Sequence, residues 1–199
     1  MAGSIDGACG PLALWSALIV LGIATRAQVI CQKFLFTDDA FGEAWLRSLD
    51  VWFQGADDDE FDALLETVSR YVDHSACEGA MRKQLAFTVS RLRKNELVLL
   101  GLERRSGDGH WVLACGLEEL VSEDSSEVIG ILCLDSSEPA PQLLRYNARL
   151  ELHVPQKGAT FVRFHGVSGD TRSMTIDRAI ALKRRPLPTR SPRRKEAGP

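Results

Sequence analysis

The stretch GACGPLALW, residues 7–15, predicts a turn that leads into an apolar helix, with a cysteine at the junction. The glycines at positions 7 and 10 allow the backbone to turn and let another segment approach closely. Pro11 suits the first helical position, where its missing N–H costs nothing. Cys9 should then lie at the positively polarised end of the helix, which favours a thiolate. A buried structural cysteine is the alternative that this stretch alone leaves open.

The composition indicates one domain followed by a basic tail. The chain has 199 residues, of which 45% are hydrophobic and 26% charged, as in ordinary globular proteins. Its net charge of −3 is unevenly distributed along the chain, because residues 183–195 hold seven basic and no acidic side chains. We predict a domain over residues 1–184 and a disordered Pro/Arg-rich tail over 185–199, which is free to contact an acidic partner.

Charge and cysteine usage restrict the class of protein. Apart from residues 183–195 and Glu196, the chain carries 17 basic and 26 acidic residues, so nucleic acid is not expected as a partner. Five cysteines without a CxxC pair indicate free thiols in a reducing compartment. The apolar run 11–23 follows an aspartate rather than a positive charge and is too short to cross a bilayer. We expect no transmembrane segment and a cytoplasmic location, with a secreted effector as the open alternative.

The hydrophobic period changes near residue 95. Helical spacing predicts helices over 11–23, from Thr37 to Leu49, over 61–71 with His74 near its end, and over 80–93, whereas 28–36 fits either a helix or an extended segment. Alternating and β-branched runs predict strands over 96–103, 111–117, 128–134, 143–152, 160–164 and 174–182. Helices followed by strands predict an α+β fold in which N-terminal helices pack on a C-terminal antiparallel β-sheet.

The acidic run 57–60 is better explained by a helix N-terminus than by a metal site. It lacks the glycine and the distal glutamate of a calcium loop, and acidic side chains are favourable at the positive end of a helix dipole. We therefore predict neither a metal site nor a cofactor.

Three side chains, distant in sequence, fit nucleophilic catalysis. A cysteine nucleophile needs a base, and the base needs a group that orients it. His110 stands at the start of one predicted strand and Asp135 at the end of the next. If these strands pair in antiparallel fashion, the carboxylate comes within reach of the imidazole. Asp135 would then hold the ring in one tautomer and stabilise the imidazolium.

These motifs resemble a known family. Cys-Gly-Pro-Leu-Ala-Leu opening a helix, Gly-His-Trp-Val starting a strand and Asp-Ser ending the next are similar to bacteriocin-processing (C39-type) cysteine peptidases of the papain-like fold. The resemblance covers residues 9 to about 135. It implies a papain-like fold and cleavage of a peptide substrate, often after a pair such as Gly-Gly, with Cys9 as nucleophile, His110 as general base and Asp135 as orienting residue.

One position departs from the family pattern. The family usually has an oxyanion-binding glutamine six residues before the cysteine, where this chain has Gly3. Ser4 is the nearest alternative donor, and Gly10 and Trp111 complete the candidate oxyanion and substrate-binding set. Loss of one such donor costs roughly 100- to 1000-fold in rate. Because only eight residues precede Cys9, a segment upstream of Met1 is another explanation.

The sequence thus predicts a cysteine peptidase that hydrolyses a peptide or isopeptide bond of a peptide or protein substrate through a Cys9 thioester. Three alternatives remain. One is a peptide- or protein-binding module that kept the fold and lost turnover. Another is a related acyltransferase or amidase that uses the same three residues. The third is an interaction protein that acts through its tail, residues 185–199, and not through Cys9.

Overall fold

A computed structural model describes residues 7–32, 40–104, 106–123, 125–141, 144–152 and 161–186. Its helices are α1 (Cys9–Val20), α2 (Arg26–Ile30), α3 (Ala40–Asp50), α4 (Asp58–Thr67) and α5 (Met81–Leu92). Its strands are β1 (Val72–Cys77), β2 (Leu97–Arg104), β3 (Gly109–Val121), β4 (Ser126–Leu134), β5 (Ala148–Glu151), β6 (Val162–Gly166) and β7 (Thr171–Arg184).

The strands form a closed barrel rather than an open sheet. Their order is β1-β7-β2-β3-β4-β5-β6, and β6 also pairs with β7, so six antiparallel strands close and β1 adds to the outside of β7. The predicted papain-like α+β fold, with helices packed on a sheet, is therefore wrong. The physical reason is strand length and curvature: β3 and β7 have 13 and 14 residues, and register shifts interrupt β2 and β3. Bulges of this kind increase the local twist and let a sheet curl onto itself.

The apolar run of β2 is buried on both faces. Val98, Leu100 and Leu102 belong to the cluster inside the barrel. Leu97 and Leu99 belong to a second cluster, which they form with the helices on the outside. This explains why the sequence LVLLGL shows no alternation between apolar and polar residues.

Helices α1, α3 and α4 cover the outer face of the barrel. Leu14, Trp15 and Leu18 of α1 are almost fully buried, and the Trp15 indole donates a hydrogen bond of 3.1 Å to the Ser48 hydroxyl of α3. Asp57 and Glu60 form a capping box at the start of α4, where each side chain accepts from the other residue's backbone N–H. The prediction that the acidic run begins a helix is confirmed.

The predicted elements were found with shifted ends, and one strand was missed. The sequence predicts that His74 lies near a helix end, but this residue lies in β1, opposite Leu182 of β7. Segment 28–36 is helical up to Ile30, and residues 33–36 lie outside the described ranges, as do Thr37 and the tail from residue 187. β7 ends at Arg184, and the division into a domain over 1–184 and a tail over 185–199 stays a prediction.

Among the described residues, no helix has the length and apolar character that crossing a membrane requires.

Candidate active site

One end of the barrel gathers the predicted catalytic residues. β3 and β4 pair in antiparallel fashion with Leu113 opposite Leu134, so the start of β3 and the end of β4 lie together. The expected pairing of these two strands is confirmed. It brings His110 of β3 against Asp135, the residue that follows β4.

His110 and Asp135 form a buried pair. His110 Nε2 lies 2.9 Å from Asp135 Oδ1, and the two side chains are 4% and 1% exposed. Burial disfavours the imidazolium, yet the hydrogen bond with Asp135, the interaction with Cys9 and the charges of both groups raise the pKa of His110 from 6.5 to about 9. Burial opposes ionisation of Asp135 as well, but the hydrogen bond with His110 and its charge, followed by the contacts of Ser137, lower the pKa of the carboxyl group. The pair is therefore an imidazolium and a carboxylate at neutral pH.

Cys9 completes the constellation. It is the first residue of α1, and its side chain interacts closely enough with His110 to raise the pKa of the ring. The backbone N–H of Trp111 donates a hydrogen bond of 3.4 Å to Cys9 Sγ. His110 Nδ1 has no hydrogen-bond partner within the described part of the chain. With Nε2 engaged by Asp135, Nδ1 is the nitrogen left for the sulfur.

Asn147, which the sequence reasoning missed, fixes the position of Asp135. Its Oδ1 accepts the backbone N–H of Asp135 at 2.7 Å, and its Nδ2 donates to the Asp135 carbonyl at 2.7 Å. The same amide donates to the carbonyl of Pro139 at 3.1 Å. The N–H of Ser137 binds Asp135 Oδ1 at 2.8 Å. The sequence signal that points to Asn147 is its position, since it immediately precedes the strand that pairs with β4.

A cleft of about 600 Å³ opens beside Cys9. Trp111 forms part of its wall and stacks on Phe61 of α4 at a ring separation of 4.1 Å, so it both supports the site and faces the cleft. The lining residues come from the start of α1, the segment before α4 and the start of β3: Gly7, Cys9, Phe53, Gln54, Gly55, Ala56, Asp57, Glu60, Asp108, Gly109 and Trp111.

The structure describes some of the candidate oxyanion donors and not others. Ser4 lies outside the described residues. The first hydrogen bond of α1 runs from the N–H of Leu12 to Ala8, so the N–H groups of Cys9 and Gly10 precede the helical ladder. Gly10 also has a packing role, since a Cβ there would lie 3.2 Å from the Phe61 ring.

The remaining cysteines are free and differ in environment. Cys31 is exposed, and Cys77 and Cys133 are buried. Burial raises the pKa of Cys115 to about 11 and that of Cys133 well above its usual value. Neither of these two thiols ionises appreciably at neutral pH.

Among the described side chains, no three histidine, cysteine, aspartate or glutamate residues are grouped as ligands of a metal ion. Comparison of the chain with protein-family models, with curated proteins and with solved structures finds no match.

Proposed function

We propose that this protein is a thiol hydrolase that cleaves a peptide or isopeptide bond through a thioester on Cys9. The observation that carries the proposal is the placement of Cys9 at the start of a helix and at the wall of a cleft, beside a histidine whose second nitrogen binds a buried carboxylate. A nucleophile, a proton carrier and an orienting group are the parts that acyl transfer needs.

The first half-reaction begins with the proton on His110, whose raised pKa of about 9 keeps the ring charged at neutral pH. The Cys9 thiolate adds to the carbonyl carbon and forms a C–S bond. His110 then gives its proton to the leaving nitrogen as the C–N bond breaks. The amine leaves with that proton, and a thioester and a neutral imidazole remain.

The second half-reaction regenerates the enzyme. Neutral His110 takes a proton from water while the water oxygen adds to the thioester carbonyl. When the C–S bond breaks, the carboxylic acid is released and the thiolate–imidazolium pair forms again. Asp135 holds the ring throughout and stabilises its charged form.

The N–H groups of Cys9 and Gly10 are suited to stabilising the oxyanion of both tetrahedral intermediates. The similarity of residues 9–14 and 109–112 to bacteriocin-processing cysteine peptidases supports the choice of a peptide substrate. This support concerns the reaction and not the papain-like fold. We also propose a reducing, cytoplasmic location, because all five cysteines are unpaired.

The test measures labelling and turnover on the full chain. Iodoacetamide labelling at neutral pH, resolved by residue with mass spectrometry, should modify Cys9 faster than a free model thiol, and His110→Gln should remove that excess. A peptide library should be cleaved by the parent protein and by Cys31→Ala, the matched control at an exposed cysteine, but not by Cys9→Ala.

Two results would count against the proposal. Labelling of Cys9 no faster than that of Cys31, with no cleaved peptide, would leave only a binding module with an inert thiol. Cleavage that survives in Cys9→Ala would assign the activity to another group or to a contaminant. A third result, transfer of the acyl group to an added amine in place of water, would instead identify an acyltransferase with the same thioester.

A further inference from the structure

The cleft beside Cys9 is strongly acidic. Asp57, Glu60 and Asp108 line it, and the described lining contains no lysine, arginine or histidine. Within the described ranges, none of these three carboxylates has an ion-pair partner, in contrast to the acidic residues on the other side of α4. There, Asp58 and Asp62 contact the guanidinium of Arg178 at 3.2 and 2.6 Å.

The carboxylates of the cleft are held in place by neutral donors. Asp57 Oδ1 accepts the N–H of Glu60 at 2.8 Å, and Glu60 Oε2 accepts the N–H of Asp57 at 3.0 Å. Asp108 Oδ2 accepts the Ser106 hydroxyl at 2.8 Å. Each bond fixes a carboxylate without neutralising it. One oxygen of each side chain is not used in these contacts.

The proposed thiol hydrolase function places a ligand in this cleft. Cys9 lines the cleft, and the His110 ring beside it is 4% exposed and has no hydrogen-bond partner for Nδ1 among the described residues. A reactive thiol in this position requires an electrophilic carbon in the cleft. The three carboxylates therefore surround the space that the rest of that ligand fills.

An adjoining hollow of about 330 Å³ extends the acidic surface past Glu60. It contains one basic side chain, Arg47, against the carboxylates of Asp50, Asp59 and Glu60, and Arg47 is paired with Glu43 at 3.5 Å. This side of the cleft is therefore acidic as well.

We propose that the substrate is a cationic peptide segment, which places lysine or arginine side chains against Asp57, Glu60 and Asp108 while its carbonyl faces Cys9. The proposal rests on the thiol hydrolase function above. A cleft lined by one sign of charge concentrates oppositely charged ligands and disfavours like-charged ones.

The test uses small charged thiol reagents on the full chain, so its readout does not depend on turnover. Cys9 is modified with a trimethylammonium-ethyl methanethiosulfonate and with the sulfonate-bearing analogue, and each rate is divided by that of a model thiol. The readout is the ratio of the corrected rate for the cationic reagent to the corrected rate for the anionic reagent at Cys9. We expect this ratio to be on the order of 10 to 100 and to fall at high salt. Asp57→Asn, Glu60→Gln and Asp108→Asn should each lower the ratio several-fold, while their hydrogen-bonding shapes are kept.

Two controls and a peptide arm complete the design. Glu123→Gln makes the same change of charge beyond the end of β3 that lies away from the cleft, about 40 Å along the strand from Gly109. This variant should leave the ratio unchanged. Cys31, labelled in the same sample, should show little preference. In the peptide arm, a substrate with lysine beside the cleaved bond should have a higher kcat/KM than its glutamate counterpart.

A ratio near one at Cys9, or a ratio that the three neutral variants do not change, would overturn the proposal even if peptides are cleaved. Equal cleavage of the lysine and glutamate peptides would overturn it as well. A cation preference at Cys9 without cleavage of any peptide would contradict the proposed function, while the acidic character of the cleft would stand.

Discussion

At the scale of single residues, the site depends on a buried charge pair. Asp135 raises the pKa of His110 by hydrogen bonding and by its charge, against the opposing effect of burial. Oδ1 of Asp135 also accepts the N–H of Ser137, so the carboxylate is fixed from two directions. The protonation state of His110 is therefore set by a neighbour with no direct contact to substrate in the proposed mechanism.

Asp135→Asn should weaken the site without removing the hydrogen-bond acceptor for the ring. Because the negative charge is lost, the pKa of His110 should fall below about 9, and turnover should drop on the order of 100- to 10,000-fold. The pKa is measured from the pH titration of the His110 ring by NMR. Asp73→Asn, on β1, is the control. An unchanged His110 midpoint in Asp135→Asn would contradict this role.

Asn147→Ala should act through Asp135 and not through substrate. The substitution leaves the buried N–H and C=O of Asp135 without their 2.7 Å partners, at a cost of about 1–3 kcal/mol in the free energy of unfolding. Urea unfolding measures this loss, and the pH profile of kcat should shift as well. Thr88→Ala, which removes a buried hydrogen bond in α5, should lower stability but keep the profile. If Asn147→Ala leaves the pH profile of kcat as unchanged as Thr88→Ala does, Asn147 has only a structural role.

At the scale of elements, the sequence predicted most helices and strands but not their ends. The periods of α1, α4 and α5 and the apolar runs of β2, β3 and β4 are strong local signals. β1 was missed because VDHSAC is largely polar and pairs on one side only, with β7. Such an edge strand gains its hydrogen bonds from a partner more than 100 residues away, which a local pattern does not report. Asn147 was missed for the same reason, since its role depends on the pairing of β4 with β5.

The contact between the start of α1 and the turn after α3 shapes the cleft. A Cβ at Gly7 would lie 2.6 Å from the N of Gly55 and from the carbonyl oxygen of Trp52. Because both neighbours are backbone atoms, they cannot rotate away as a side chain would.

Gly7→Ala should therefore push the two segments apart, with a cost of about 1–3 kcal/mol in stability and slower labelling of Cys9. Gly116→Ala is the matched control, because its Cβ would meet Leu132 at an ordinary 3.5 Å. Thermal unfolding and iodoacetamide kinetics measure the two effects. Equal stability and labelling of both variants would show that the close approach at Gly7 has no role.

At the scale of the whole molecule, closure of the barrel decides where the site forms. The sequence predicted the strands and their antiparallel sense, but alternation within a strand is the same in an open and in a closed sheet. Closure depends on the pairing of β6 with β7 and on irregularities near Gly101 and Gly116, which are properties of the assembled sheet. The contact between His110 and Asp135 was still predictable, because the pairing of β3 with β4 is local in the sequence.

The same charge pair makes the stability of the whole chain depend on pH in alkaline solution. The unfolded chain releases the His110 proton near pH 6.5, whereas the folded chain keeps it up to about pH 9. Between these values the folded imidazole binds more protons than the unfolded one, so its contribution to the free energy of unfolding falls as the pH rises. The contribution is complete below pH 6.5, is lost as the pH passes through 9, and amounts to about 3 kcal/mol. Urea unfolding of the parent protein and of His110→Gln at pH 6, 7.5 and 9.5 measures it, because groups that do not interact with His110 contribute equally to both proteins. The difference between the two proteins should shrink steadily over this range, and a constant difference would mean that His110 is neutral in the folded protein.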